Sequence, residues 1–151
     1  MEKNISLSLP RDNRRGGLMS DNWNNDIAEM HDKFGVHNAV SLMNTKTLAE
    51  YFDFRVKFLQ EELDELKSAE RPADAIDALI DLCVVAIGTL DAFNVNGAEA
   101  WNRVHAANMA KKVGIKESRP NPLGLPDLVK PEGWMPPNHN DIRSLLDNVF
   151  I

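Results

Sequence analysis

Apolar residues recur at steps of three and four through the first three quarters of the chain, and this period predicts α-helices. Start and stop signals divide the region into four helices, at roughly 22–35, 45–69, 72–93 and 98–112. Asp21 or Asn22 is predicted to cap the first helix, and Thr45 or Thr47 the second. Residues 36–46 are predicted to form a connection between them.

Glu62 and Glu65 interrupt the amphipathic pattern of the second predicted helix. Its apolar side chains from Tyr51 to Ala69 fall on one broad arc, with most polar ones opposite. With Tyr51 at zero, Glu62 and Glu65 project from within the apolar arc, at roughly 20° and 320°. Glu61 lies at the edge of this arc, at roughly 280°. A carboxylate on the core-facing side needs a partner, because an unpaired buried charge is very costly.

The third predicted helix is apolar almost all round, which indicates a helix buried on most sides. Its acids Asp74, Asp77 and Asp81 fall within about 60° of one another and form a narrow acidic stripe. Gly88 lies on the same side as the stripe, where it either lets a backbone or a ligand approach closely or relieves packing.

A short break at residues 70–72 favours an antiparallel arrangement of these two helices. Counted outward from the break, Glu62 is level with Asp81, and Glu65 is level with Asp77. The four carboxylates are predicted to meet between the helices and to hold a hard divalent cation such as Mg²⁺, which also binds substrate phosphates. An acidic string is commonly just a solvated helix face. The position inside the apolar arc, opposite an acidic stripe, favours the metal site.

The fourth predicted helix has a face that changes from apolar to polar toward its end. The residues of this face, at three- and four-residue steps, are Trp101, Val104, His105, Asn108, Lys111 and Lys112. Lysines at a helix C-terminus, taken alone, only favour the helix dipole. Beside an acidic metal site, Asn108, Lys111 and Lys112 become candidates for contact with substrate phosphates.

Glycine and proline dominate residues 113–151, which predicts an extended arm and not an independent domain. Trp134 is expected to dock, either as a substrate-binding residue that stacks on a base or covers the pocket, or as an anchor for the arm. A short terminal helix is expected within residues 142–151. The predicted division of the chain is a flexible segment over 1–20, a helical domain over 21–112 and the arm over 113–151.

The apolar stripe of the first predicted helix is interpreted as core packing, and its members are Trp23, Ile27, Met30 and Phe34. His31 and His37 lie near the end of this helix. We expect them to be surface residues or hydrogen-bonded structural residues, and not ligands.

Length and charge narrow the functional classes. With 151 residues the chain is long enough for one domain with a real core, and its net charge of −6 argues against nucleic acid as the main partner. The single cysteine, Cys83, cannot form an internal disulfide, which fits a reducing compartment. We expect no signal peptide, no membrane association and a cytoplasmic location, in the host cell for a viral protein.

Three motifs carry a family resemblance: E-E-x-x-E at Glu61, Glu62 and Glu65, an acidic pair ending in Asp81, and V-H-A-A-N-M-A-K at 104–111. Together they resemble the all-α nucleoside triphosphate pyrophosphohydrolases, the MazG-like superfamily that includes dimeric dUTPases and phosphoribosyl-ATP pyrophosphohydrolase. The similarity covers residues 27–112 well. Segments 58–62 and 133–137 look like small stand-alone members found in bacteria and phages.

The resemblance implies an all-α bundle of four to five helices, completed as a homodimer or, by pairing of dimers, a homotetramer. It implies Mg²⁺-dependent cleavage, with Mn²⁺ as a substitute ion, between the α and β phosphates of a nucleotide substrate. The products are a nucleoside monophosphate and pyrophosphate. Residue by residue, the match assigns the metal ligands Glu62, Glu65 and Asp81, the acid for the attacking water Glu61, and the substrate contacts Asn108 and Lys111.

One position departs from the family pattern E-x-x-D. Ala78 stands where the family has glutamate, and the nearest acid is Asp77, four residues before Asp81. Positions i and i+4 share a helix face, so Asp77 is the expected fourth ligand, directly or through water, with Asp74 as the alternative. Two other functions stay open: a narrower pyrophosphohydrolase acting on dUTP, dCTP or phosphoribosyl-ATP, and a non-catalytic helical module with a structural ion.

Overall fold

The computed structural model describes residues 22–119, 123–124 and 127–151, so the expected flexible segment 1–20 lies outside the described residues. Within these ranges the chain is mostly helical, which confirms the all-α class. The elements are α1 (Trp23–Lys33), α2 (Val36–Ser41), α3 (Thr45–Ser68), α4 (Pro72–Ala92), α5 (Gly97–Met109), β1 (Lys112–Gly114), β2 (Asp127–Val129) and a 3₁₀-helix (Ser144–Asn148).

The helix starts follow from local side-chain chemistry. The Asn22 side chain accepts a hydrogen bond from the backbone N–H of Asn25 at 3.1 Å and caps α1. The N-cap of α3 is Asn44, whose Oδ1 accepts from the Thr47 backbone N–H at 2.9 Å. The predicted caps Thr45 and Thr47 are therefore wrong, because an asparagine one residue earlier satisfies the free N–H group.

Helix α2 lies inside the predicted connection, which is a correction to the sequence analysis. Gly35 adopts a left-handed conformation with φ of 75°, which lets the chain turn sharply between α1 and α2. Val40 of α2 is buried against the main core. Six residues are too few for a helical period to stand out in the sequence, so packing defines this helix.

The core lies where the start of α3 meets the end of α4. Phe93 is fully buried, and the rings of Tyr51 and Phe52 each lie 5.7 Å from it, centroid to centroid. Farther along α3, the side chain of Arg55 contacts Val85 and Thr89 of α4. The start of α3 thus faces the end of α4, so the two helices are antiparallel.

Parts of two helices that were predicted to be buried are exposed in the single chain. On α4, Ile76, Leu79 and Ile80 keep 61%, 50% and 46% of their surface in solvent. On α1, Ile27 is buried, but the other members of the apolar stripe are exposed: Trp23, Met30 and Phe34. The core interpretation of that stripe is wrong for those three, because only one side of α1 packs on the rest of the chain.

The C-terminal arm contains a small antiparallel sheet that the glycine and proline content did not predict. Strands β1 and β2 pair with Lys112 opposite Val129 and Gly114 opposite Asp127. The 3₁₀-helix returns to the core, where the backbone N–H of Leu145 donates to the Phe93 carbonyl at 3.2 Å. None of the described helices has the length and apolar content to cross a bilayer.

Candidate active site

Glu62 is the acid of α3 that is enclosed between the helices. It is 9% exposed, and its Oε2 is buried with no hydrogen-bond partner among the described residues. The pKa of Glu62 is raised, first because burial removes water from the charged form and then because Glu65, Asp81 and Glu61 add negative charge. Each neighbouring charge that shifts the group is therefore of the same sign.

The surrounding acids are open to solvent. Glu61, Glu65 and Asp81 are all exposed, and they act on Glu62 from its own helix and from α4. A buried carboxylate with three exposed carboxylates close enough to act on it forms an acidic group that is partly open to solvent. Asp81 of α4 is thus close enough to Glu62 for its charge to raise the pKa of Glu62, whereas the metal-ligand role of Glu62, Glu65 and Asp81 stays a prediction.

The predicted fourth metal ligand, Asp77, has no detected electrostatic effect on Glu62. Asp77 is exposed and is not among the charges that shift the pKa of Glu62. Asp74 is occupied by Arg71, whose Nε and Nη2 donate to its two carboxylate oxygens at 2.9 and 2.7 Å. Ala78, at the glutamate position of the family pattern, is buried at 3% exposure. The free acid nearest to that position is therefore Asp77.

The donor set at Glu62 fits a hard divalent cation. The groups are carboxylate oxygens, which Mg²⁺ prefers, and the buried Oε2 needs a positive partner. The exposed carboxylates leave room for water and for substrate oxygens beside an ion. The residues present therefore suit the metal that the family resemblance implies.

Asn108, Lys111 and Trp134 form a second group, at the end of α5. Lys111 Nζ donates to Asn108 Oδ1 at 2.9 Å and lies 5.4 Å from the centroid of the Trp134 ring. Lys130, which sequence reasoning missed, places its ammonium 4.9 Å from the same ring. The indole Nε1 donates to the Ala107 carbonyl at 2.8 Å, so Trp134 anchors the arm on α5.

Lys112 belongs to β1 and is exposed, so it begins the arm and does not end a helix as predicted. Among the hydrogen bonds, ion pairs and ring contacts of the described ranges, none joins the group around Trp134 to the acids around Glu62. Within one chain, the predicted metal residues and the predicted substrate residues are thus two separate groups.

Arg55 is a buried cation that the sequence analysis did not single out. Its Nε donates to Thr89 Oγ1 at 2.9 Å and its Nη2 to the Val85 carbonyl at 2.8 Å. Gly88 makes room for it, because a Cβ at that position would lie 2.7 Å from Arg55 Nη2 and 3.4 Å from the His31 ring. Gly88 therefore relieves side-chain packing, which was one of its two predicted roles.

This helical bundle, in which the charge of Asp81 on α4 acts on Glu62 of α3, is similar to the all-α, MazG-like nucleotide pyrophosphohydrolases. Within that class, the family model of phosphoribosyl-ATP pyrophosphohydrolase (PRA-PH) matches residues 28–108, and the chain belongs to this family. It is accordingly a pyrophosphohydrolase. Comparison with curated proteins and with solved structures gave no match.

Proposed function

We propose that the protein hydrolyses nucleoside triphosphates, ribo or deoxyribo, between the α and β phosphates in a Mg²⁺-dependent reaction. The observation that carries this proposal is the buried, unpartnered Oε2 of Glu62 surrounded by like charges. Such a carboxylate is satisfied by a cation, and a nucleotide binds as its complex with a divalent cation. Residues 21–112 form the catalytic domain in this proposal.

The chain's own residues divide the work as follows. Glu62, Glu65 and Asp81 would hold the ion, and Asp77 would complete the site directly or through water. When bound, Mg²⁺ neutralises phosphate charge as the transition state forms. Glu61, exposed beside Glu62, orients a water and accepts its proton. The water oxygen bonds to the α-phosphorus, the bond to the bridging oxygen breaks, and pyrophosphate leaves with the electron pair.

Asn108, Lys111 and Lys112 contact the phosphates in this proposal. The Trp134 ring supports this role by holding the Lys111 ammonium close to its face. We also propose a homodimer, or a pair of dimers, in which a second copy covers the exposed apolar face of α4 formed by Ile76, Leu79 and Ile80. A partner copy offers a route by which the phosphate-binding group reaches the acids.

The test is release of pyrophosphate from a panel of ribo- and deoxynucleoside triphosphates, with Mg²⁺ and with EDTA. We expect metal-dependent release that is lost in Glu62→Gln and retained in Glu50→Gln, an exposed acid near the start of the same helix. A folded wild-type protein that releases pyrophosphate from no member of the panel contradicts the general triphosphatase proposal.

Phosphoribosyl-ATP is the second candidate substrate, and the family match favours it. It belongs in the same panel, beside dUTP and dCTP, so that one assay ranks the general and the narrow activities. Measuring the helicity and the turnover of Glu62→Gln distinguishes a catalytic role of the proposed ion from a structural one. Retained helicity with lost turnover supports catalysis, and unfolding supports a structural ion.

A further inference from the structure

A second polar cluster joins three helices at the far end of α4. Oδ2 of Asp91 lies 2.7 Å from His31 Nδ1 and 2.5 Å from His37 Nε2. The other ring nitrogen of His37, Nδ1, lies 2.6 Å from Oδ1 of Asp32. His31 belongs to α1, His37 to α2 and Asp91 to α4. We name this group the histidine cluster.

The histidine cluster is compact enough to share one ion. His31, His37 and Asp91 each offer a ligand atom, and the three atoms lie within 4.8 Å of one another. In the described part of the chain no other three histidine, cysteine or acidic side chains do so. His31 is 4% exposed, so one ligand is fixed by packing, while the side chains of Asp91 and His37 are 21% and 36% exposed. An ion can therefore enter from the solvent side.

Asp32 and Asp91 place two carboxylates against the two imidazole rings of the cluster. A divalent ion with two neutral imidazoles balances both carboxylates. Arg55 is a nearby cation, across Gly88, and it directs Nε to Thr89 and Nη2 to the Val85 carbonyl.

We propose that the histidine cluster binds a divalent transition-metal ion of the Zn²⁺ type through His31 Nδ1, His37 Nε2 and Asp91 Oδ2. Asp32 orients the second ligand, because a carboxylate on the free N–H of a metal-binding histidine fixes its ring and tautomer. Water takes the fourth position. The structure confirms the expectation that both histidines are hydrogen-bonded residues. The proposal departs from the second part of that expectation, which is that they are not ligands.

Ligand chemistry separates this site from the acids around Glu62. Two imidazole nitrogens and one oxygen suit Zn²⁺, Co²⁺ or Ni²⁺, whereas Mg²⁺ requires oxygen ligands. Along α4, Asp91 is also about 15 Å from Asp81 at 1.5 Å per residue. The two sites therefore select different ions and do not share a ligand.

Binding requires a small opening of the cluster. Tetrahedral ligands at about 2.05 Å from Zn²⁺ are about 3.3 Å apart, so the two short contacts to Asp91 Oδ2 must widen by about 0.6–0.8 Å. His37 lies on a six-residue helix at the surface, which can move by this amount. The bound ion then ties α1 and α2 to α4, and its role is structural.

The experiment titrates the full chain, stripped of metal, with Zn²⁺ by calorimetry and with Co²⁺ by visible absorption. It is run in wild type and in Glu62→Gln, so that the acids around Glu62 do not account for the signal. We expect one ion per chain in Glu62→Gln, tetrahedral Co²⁺ bands and a higher unfolding temperature with Zn²⁺. In Glu62→Gln, Mg²⁺ is expected to produce none of these changes.

Two variants test the ligand assignment. Asp32→Asn, which removes the carboxylate that orients His37, is expected to weaken Zn²⁺ binding by about 10–100-fold. His37→Gln, which removes a ligand, is expected to weaken binding by at least as much. His105→Gln, an exposed histidine on α5, is the matched control and should leave binding unchanged. Binding that is absent in wild type, or equally tight in a folded His37→Gln, overturns the proposal and leaves a hydrogen-bonded cluster only.

Discussion

Two places along α4 carry polar groups in opposite situations. Beside its middle, at Asp81, Glu62 of α3 is buried near Glu65 with an oxygen that no described hydrogen bond satisfies. Near its end, one carboxylate oxygen of Asp91 is hydrogen-bonded to the imidazole rings of His31 and His37. The comparison teaches that burial alone does not mark a reactive group. The buried Glu62 carboxylate has only like charges around it, whereas the Asp91 carboxylate has two imidazole partners that stabilise the fold in the absence of an ion.

The largest expected effect is on turnover. Glu62→Gln removes the buried charge on which the proposed ion depends, and we expect the rate of pyrophosphate release to fall by about 10³-fold or more, which corresponds to several kcal/mol of transition-state stabilisation. Because the pKa of Glu62 is raised, ionising it opposes folding, so the variant should unfold at a higher temperature than wild type in EDTA. The measurements are release assays and thermal melts.

Glu50→Gln is the control for that comparison, since Glu50 is exposed on the same helix with only a long ion pair to Lys46 at 3.9 Å. It should change neither turnover nor stability appreciably. A lower unfolding temperature for Glu62→Gln in EDTA would mean that the Glu62 carboxylate has a partner in the folded chain. The contrast between Glu62 and Asp91 would then fail.

The second effect is on the core next to the histidine cluster. Phe93→Ala is expected to lower the free energy of unfolding by about 3–5 kcal/mol, because Phe93 is fully buried. Ile76→Ala, near the other end of α4, should cost about 0.5 kcal/mol or less in a dilute, monomeric chain. Urea denaturation at several protein concentrations measures both. A cost for Ile76→Ala that grows with concentration would place this residue in an interface between copies.

The third effect compares two aspartates of α4 directly, in EDTA. Asp91→Asn weakens two charge-assisted hydrogen bonds, and we expect a loss of about 1.5–3 kcal/mol in the free energy of unfolding. Asp81→Asn removes a like charge beside Glu62, so its unfolding free energy should stay level or rise. Equal losses in the two variants would show that the acids around Glu62 are satisfied within the chain.

The smallest effect is the pH dependence of stability that Asp141 causes. Its pKa is lowered in the folded chain, whereas the pKa of Glu62 is raised. Arg103 donates to both oxygens of Asp141 and lowers the pKa of that carboxyl to about 2. The stabilisation is complete above the usual aspartate pKa and is lost as the pH falls from about 4 toward 2. Asp141→Asn should remove that part of the acid-induced loss in urea titrations. Identical pH profiles for variant and wild type would show that this exposed pair contributes nothing.

Local periodicity predicted the parts of the site that lie on long helices. The phases of α3 and α4, together with the short turn between them, were sufficient to place Glu62 at the height of Asp81. The same reasoning missed the histidine cluster, because His37 and Asp91 are 54 residues apart and meet only through the packing of α2 on α4. It also missed α2 itself, whose six residues depend on the buried Val40.

The side-chain contacts of the arm could not be predicted from the sequence either. Lys130 and Lys111 both lie close to the Trp134 ring because the arm folds back on α5, and no spacing rule connects residues on separate elements. Asn44 was overlooked as a cap because two threonines followed it. In each case, a contact between elements or a choice between adjacent polar residues decided the outcome.

Gly88 has a consequence for how the molecule tolerates mutation. A Cβ at this position would lie 2.7 Å from Nη2 of Arg55 and 3.4 Å from the His31 ring. A single added methyl group would therefore fit against His31 but displace the Arg55 guanidinium, whose hydrogen bonds join α3 to α4. In a saturation survey of α4, position 88 should therefore be among the least permissive, although it has no side chain of its own.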